Sequence, residues 1–133
     1  KTNAYISGET FGAVQDLTYG LDAGVFDFRV FNVFLGSRSD AKGVFPVDDD
    51  VLEALLTEFN LKRVPVLYKG PYSKEVMLKH TDGLETYSGK ETHIREGLVV
   101  EPLVQRRDPA IGRVVLKSVS TAYLSRKGGT ELN

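Results

Sequence analysis

The sequence predicts an α+β fold, with largely antiparallel β-sheets and a few flanking helices. Three observations predict it. Residues 25–35 read Val-Phe-Asp-Phe-Arg-Val-Phe-Asn-Val-Phe-Leu, an aromatic and β-branched run typical of a strand. Val51, Leu52, Leu55, Leu56 and Phe59 follow three aspartates at helical spacing. Two apolar segments, residues 94–103 and 113–120, flank the turn chemistry of Arg106-Arg107-Asp108-Pro109 and Gly112, and read as a hairpin with a long connection.

The other elements follow in chain order. Residues 3–7 alternate polar and apolar, as a short strand does. Gly8-Glu9-Thr10-Phe11-Gly12 holds a carboxylate between glycines, which allow close backbone approach. Both faces of the run at 25–35 are mostly apolar, predicting a central strand covered on both sides. Residues 37–47 are polar and contain glycine, predicting a loop. Asp48 or Asp49 then caps a helix whose acidic start suits the positive end of the helix dipole. Residues 64–68 read as a short edge strand interrupted by Pro65, and Gly70-Pro71 as a turn. Ser73 is placed to cap a short helix holding Val76, Met77 and Leu78. Residues 81–90 are loop-like, with Gly83 and Gly89. Ser120 or Thr121 can cap a last helix over 121–127, ending at Gly128-Gly129.

Composition narrows the function. The chain has 133 residues, enough for one domain or a large part of one. Its formal net charge is -1, so no global positive field draws it to nucleic acid, and any phosphate contact must be local. There is no cysteine, which excludes disulfides, thiolate metal sites and cysteine nucleophiles, and fits a cytoplasmic protein. No apolar run approaches the roughly 20 residues that span a bilayer, so no membrane partner is expected. The opening Lys1-Thr2-Asn3-Ala4-Tyr5 has no apolar stretch after its charge and is not a signal peptide.

Four segments place polar groups where a plain core would not: Glu9 between glycines, Phe28 in its strand, Arg95-Glu96-Gly97-Leu98-Val99-Val100, and Val114-Val115-Leu116-Lys117-Ser118-Val119. If the last two strands are neighbours, a carboxylate and an ammonium converge at one end of a sheet. Phosphoryl chemistry needs that pair, the carboxylate for a divalent metal and the cation for phosphate oxygens. A nearby aromatic ring can stack on a base. The competing reading is a cross-strand salt bridge, or a lysine reaching out to solvent.

Read in order, Gly8-Glu9-Thr10-Phe11-Gly12, Phe28-Arg29-Val30-Phe31-Asn32-Val33, Arg95-Glu96-Gly97-Leu98-Val99-Val100 and Val115-Leu116-Lys117-Ser118 resemble the later motifs of the covalent nucleotidyltransferases, the polynucleotide ligases and mRNA capping enzymes. The chain is most similar to the ATP-dependent RNA ligases, in the branch with an N-terminal OB-fold module. The fuller runs Val14-Gln15-Asp16-Leu17-Thr18-Tyr19-Gly20, His93-Ile94-Arg95-Glu96-Gly97 and Leu116-Lys117-Ser118-Val119-Ser120-Thr121-Ala122-Tyr123-Leu124 carry that likeness over nearly the whole chain. Any one motif is weak, but four in order are specific.

The resemblance implies that residues 1–133 are the C-terminal portion of a nucleotidyltransferase (adenylation) domain with a nucleotide cleft, truncated at its N-terminus. It implies RNA repair in three steps. A lysine attacks the α-phosphate of ATP and becomes lysyl-AMP as pyrophosphate leaves. AMP then passes to an RNA 5′-phosphate. An RNA 3′-hydroxyl attacks that activated end and AMP departs. Each is an in-line displacement at phosphorus, governed by positioning and charge neutralisation. The implied cofactors are ATP and Mg2+ or Mn2+, and the implied partners are nicked or broken RNA ends. By matched position Glu9 contacts the ribose or the metal shell, Phe28 stacks on adenine, Glu96 helps bind the metal, and Lys117 contacts the α-phosphate. Alternatives are a DNA ligase or GTP-using capping enzyme of the same superfamily, or a non-catalytic nucleotide- or nucleic-acid-binding domain.

The chain departs from that pattern at three places. The nucleophile motif, Lys-x-(Asp or His)-Gly, is not found: Lys1 does not match it, and Lys69-Gly70 and Lys127-Gly128 stand on the wrong side of the other motifs. The chain is therefore expected to start after the nucleophile. Asn32 stands where relatives usually carry Asp, and Val119 where many carry a second lysine, leaving Lys117 to act alone or with Lys127.

Other polar residues read more simply. His93 and His80 lie in different segments without metal-ligand spacing, and His93 is expected to hold structure. Arg95 is expected to pair with a carboxylate on the face opposite Glu96. Arg106, Arg107 and Arg113 are either a solvated hairpin tip or a salt-sensitive contact for the RNA backbone. Asp48–Asp50 reads as a helix start rather than a metal cluster. Lys42 and Lys69 form no pattern.

Overall fold

The larger sheet has three strands in the order β1 (Asn3–Gly12), β2 (Phe26–Gly36) and β3 (Val44–Pro46). The structure is a computed structural model describing residues 2–12, 17–39, 43–87 and 91–126. Lys1, Val14 to Asp16, Lys42, Gly89, Lys127 and Gly128-Gly129, which entered the sequence reading, lie outside those residues. The remaining elements are α1 (Asp49–Glu58), α2 (Lys74–Thr81), β4 (Gly97–Val100), β5 (Arg107–Asp108), β6 (Gly112–Arg113), β7 (Leu116–Val119) and α3 (Thr121–Ser125). β2–β3, β4–β7 and β5–β6 are all antiparallel, so the chain is α+β with antiparallel sheets and few helices. None of these helices is long and apolar enough to cross a membrane, among the described residues.

The chain divides into two units, each drawn from three stretches. The first holds Lys1–Thr10, Phe28–Val64 and Glu101–Val114; the second holds Phe11–Asp27, Pro65–Val100 and Val115–Asn133.

In the first unit the core is Val30 and Val33 of β2 against Leu52 and Leu56 of α1, with Val47, Leu55 and Leu61 beside them. The apolar stripe of α1 is narrower than its sequence predicts. Leu52 is 2% exposed, whereas Phe59 is 62% exposed and only caps the C-terminal end. Leu52→Ala should therefore cost about 2–5 kcal/mol by opening a cavity. Phe59→Ala should cost under about 0.5 kcal/mol. Urea unfolding of both variants checks this, and equal losses would place the core elsewhere. At the start of α1, Arg63 bridges Asp49 at 2.8 Å and also Glu53. Burial pulls the Arg63 pKa down, but hydrogen bonds to Glu53 and Asp49 more than offset it and hold the guanidinium above its ordinary value.

In the second unit an aromatic cluster forms the counterpart. Buried Phe11 meets Tyr19 and Tyr87 edge-on at 5.1 and 4.9 Å between ring centroids. Tyr19 in turn meets His93 at 4.7 Å. α2 packs on both β4 and β7. Ser73 caps α2 by accepting the Val76 N–H at 3.1 Å, and Ser120 caps α3 by accepting the Tyr123 N–H at 3.3 Å, both as the sequence predicts.

Several elements differ from the sequence reading. β1 runs on through the Gly8–Gly12 segment rather than ending near Ser7. The predicted loop at 37–47 contains β3, paired to β2 through Leu35 and Phe45. β2 is central but covered only in its middle: Val30 and Val33 are buried, while Phe26, Phe28, Phe31 and Leu35 remain exposed. Residues 64–68 are not a strand. Val64 N–H reaches the Val30 carbonyl at 3.1 Å beside the bridge of Val30 with Arg63, and Pro65 has no N–H to extend it. β4 is shorter than the predicted 94–103, because Ile94 bridges Leu84 instead and Pro102 offers no donor.

Candidate active site

β4 and β7 are direct neighbours, and their register pairs Gly97 with Val119, Leu98 with Ser118, Val99 with Lys117 and Val100 with Leu116. Side chains alternate across such a ladder, so Leu98 and Ser118 share one face and Val99, Lys117 and Val119 the other. The first face meets α2. Thr81, buried, donates its hydroxyl to the Met77 carbonyl at 2.8 Å. Its one proton thus spent, Thr81 accepts from the Ser118 hydroxyl at 2.7 Å. The second face is open: Val99 is 58% exposed, and Lys117 and Val119 are exposed beside it.

Lys117 therefore stands on the open face of the hairpin between two valines. Among the described residues its ammonium makes no ion pair, so the cross-strand salt bridge offered by the sequence does not form. Its register partner is Val99 rather than Glu96. Glu96 lies one residue before β4, and its carbonyl accepts the Ser120 N–H at 2.9 Å. Three positions separate Glu96 from Val99, about 10 Å along a strand. Regular alternation would turn the Glu96 side chain toward the Ser120 face. Gly97 intervenes with φ +150, about 70° from the usual antiparallel value. Glu96 is half-buried at this end of the sheet, with its own contacts.

Ser118 of β7 and Ser120 just after it hold the segment in place. Ser120 is fully buried, and its hydroxyl donates to Asp82 at 2.7 Å. Sequence reasoning singled out neither Ser118 nor this use of Ser120. Their alternation with Lys117 is the signal that was available. Among the described residues Arg95 pairs with no carboxylate. Its guanidinium donates to the carbonyls of His80 at 2.6 Å and Leu84 at 3.0 Å, clamping the end of α2 to the approach to β4. His93 is structural: Nε2 accepts the Tyr19 N–H at 3.1 Å, and Nδ1–H donates to the Ile94 carbonyl at 2.7 Å. Both bonds require the neutral ring with its proton on Nδ1.

Glu9 and Phe28 both lie in the first unit, on β1 and β2. A Cβ built on Gly8 would lie 2.5 Å from the Phe28 ring and 2.4 Å from the Arg29 carbonyl, so the residue before Glu9 must be glycine for the ring to lie there. Phe28 is 40% exposed and Glu9 is exposed. The four predicted residues thus fall into two pairs, one in each unit.

Asn32 has a physical reason to differ from aspartate. It is buried, and its amide donates to Glu101 Oε1 at 3.3 Å, while Glu101 also accepts from Arg113. A carboxylate there would face another carboxylate. The three aspartates at the head of α1 are likewise engaged: Asp48 accepts the Gln105 N–H, Asp49 pairs with Arg63, and Asp50 accepts the Val51 N–H. No group of three or more metal-binding side chains is found among the described residues.

A family model described as RNA ligase matches residues 1–119. The chain belongs to the RNA ligase family. The match takes in the Gly8–Gly12 segment, Phe28, Glu96 and Lys117 together. A search of curated proteins gave no significant match. Membership of the RNA ligase family makes an enzyme that joins RNA the frame for both pairs of residues.

Proposed function

We propose that this chain is the phosphate-gripping part of the nucleotidyltransferase (adenylation) domain of an ATP-dependent RNA ligase. The reading is carried by Lys117: in an RNA ligase family member, an ammonium with no ion pair among the described residues stands on the open face of the β4–β7 hairpin, opposite Val99 and so three strand positions from Glu96. With no carboxylate engaged to it among the described residues, the ammonium is available to an incoming anion.

The roles divide as follows. Phe28 stacks on adenine, and Glu9 holds the ribose or the metal shell. Lys117 contacts the α-phosphate and offsets the charge that gathers on its oxygens as the phosphorus–oxygen bond to pyrophosphate breaks. Glu96 contributes a carboxylate to Mg2+ or Mn2+. One carboxylate completed by substrate phosphates and water is the donor set that Mg2+ commonly takes, so the residues present fit the ion. When bound, the ion neutralises phosphate charge. The reacting lysine belongs to a Lys-x-(Asp or His)-Gly motif, which this sequence does not contain. Its amine forms a P–N bond to AMP as pyrophosphate leaves. An RNA 5′-phosphate oxygen then displaces the lysine, and the RNA 3′-hydroxyl displaces AMP to close the phosphodiester.

Labelling tests the proposal. Incubated with α-labelled ATP and a divalent metal, this chain alone should show no label on a denaturing gel. A polypeptide joining it to a Lys-x-(Asp or His)-Gly segment should be labelled by ATP and not by GTP. Labelling of the chain alone, or a preference for GTP, would overturn the reading.

A further inference from the structure

The arginines of the β5–β6 hairpin do not simply sit at a solvated tip. Within the first unit they line a cavity of about 270 Å³, together with Phe45, Asp48 and Gln105. This is near the lower end of ligand pockets, which run from roughly 300 Å³ upward, and suits one phosphate with its sugar. Arg107 stacks its guanidinium over Phe45 at 5.0 Å, and Arg113 lies over Phe34 at 5.4 Å. These ring contacts fix the guanidinium planes without consuming their N–H donors.

The charges are unbalanced. Arg113 is answered by Glu101, and the Asp48 carboxylate accepts the Gln105 N–H at 2.7 Å. Arg106 and Arg107 are exposed, and among the described residues neither has an ion-pair partner. Two buried polar atoms in the lining, Arg113 Nε and Gln105 Oε1, also lack a hydrogen-bond partner. The backbone supports the arrangement: Val114 N–H donates to the Arg106 carbonyl at 3.1 Å, and Asp108 ties off the turn through the Ala110 N–H at 2.8 Å.

We infer that this cavity is a docking site for the sugar-phosphate backbone of the RNA strand, with Arg106 and Arg107 as its phosphate-binding residues. The inference rests on the ligase reading only for taking the polyanion to be RNA. It places RNA contacts on a hairpin outside the four nucleotide-binding positions.

The test is binding of a short 5′-phosphorylated single-stranded RNA, followed by fluorescence anisotropy without ATP over a range of salt concentrations. Each phosphate contact on a single strand contributes about 0.7 to the slope of log affinity against log salt. The Arg106→Ala/Arg107→Ala double variant should lose about tenfold in affinity and flatten the slope by about 1.4, for two contacts. The Arg106→Lys/Arg107→Lys variant should keep most of the slope, because lysine holds phosphate as a point charge. ATP affinity should be unchanged in both. An unchanged RNA slope in the alanine variant, or a loss of ATP affinity in place of RNA affinity, would overturn the inference. Because no covalent step is read, failure of adenylation would leave this result standing on its own.

Discussion

Replacing Lys117 by alanine should lower RNA ligation by about 10²-fold or more, the size of effect seen when a preorganised charge partner of a transition state is removed. The measurement belongs on a polypeptide that carries this chain with a Lys-x-(Asp or His)-Gly segment. Stability should hardly change, within about 0.5 kcal/mol, because the side chain is exposed and makes no ion pair among the described residues. That split, with activity lost and stability kept, separates a catalytic lysine from a structural one. Glu96→Ala should cut ligation by a similar factor, and Glu96→Gln should raise the Mg2+ or Mn2+ concentration needed for half-maximal rate. Near-normal turnover in either alanine variant would remove that residue from the site.

The second large effect is expected at Gly97. A Cβ there would lie 2.2 Å from the Ser118 carbonyl oxygen and 3.0 Å from the Val119 Cα, and φ is +150. Neither contact is with a flexible side chain, so relief requires β4 and β7 to separate. Gly97→Ala should destabilise the fold by roughly 2–4 kcal/mol, combining backbone strain with the clash. Gly112 is the control. Its φ is +76, but a Cβ there meets nothing within 4 Å, so Gly112→Ala should cost only about 1 kcal/mol. Thermal unfolding ranks the two, and Gly97→Ala no worse than Gly112→Ala would show that the strands do not approach this closely. Ligation should fall with Gly97→Ala as well, because the substitution acts where Glu96 leaves the ladder.

The sequence made the strong patterns legible for simple reasons. The run that became β2 has no helical period, and the caps Ser73 and Ser120 stand directly before helical stretches. The hairpin of β4 with β7 was readable because two apolar segments flank turn residues. β3 was not, since three residues between a glycine-containing loop and a helix carry no period of their own. The strand expected at 64–68 had the right composition, but only tertiary pairing decides whether a proline ends a ladder. The site divides in the same way. Residue types made Glu96 and Lys117 the candidates, whereas register cannot be read from two apolar strands, and Val99 opposite Lys117 emerged only from the pairing. Arg95 looked like an ion-pair partner because charge suggests charge. Carbonyls at the end of α2, which no sequence pattern advertises, claimed it instead.

The interleaved chain path has a practical consequence. Each unit is stitched from three separated stretches, so no single cleavage releases either one whole. A truncation from either end that reaches past the first or last stretch removes part of both units. Dissecting the protein calls for point substitutions, or for a rearranged gene that reconnects the pieces in spatial order. The same path gives the chain many contacts between distant residues, which favours slow, all-or-none folding over assembly in modules.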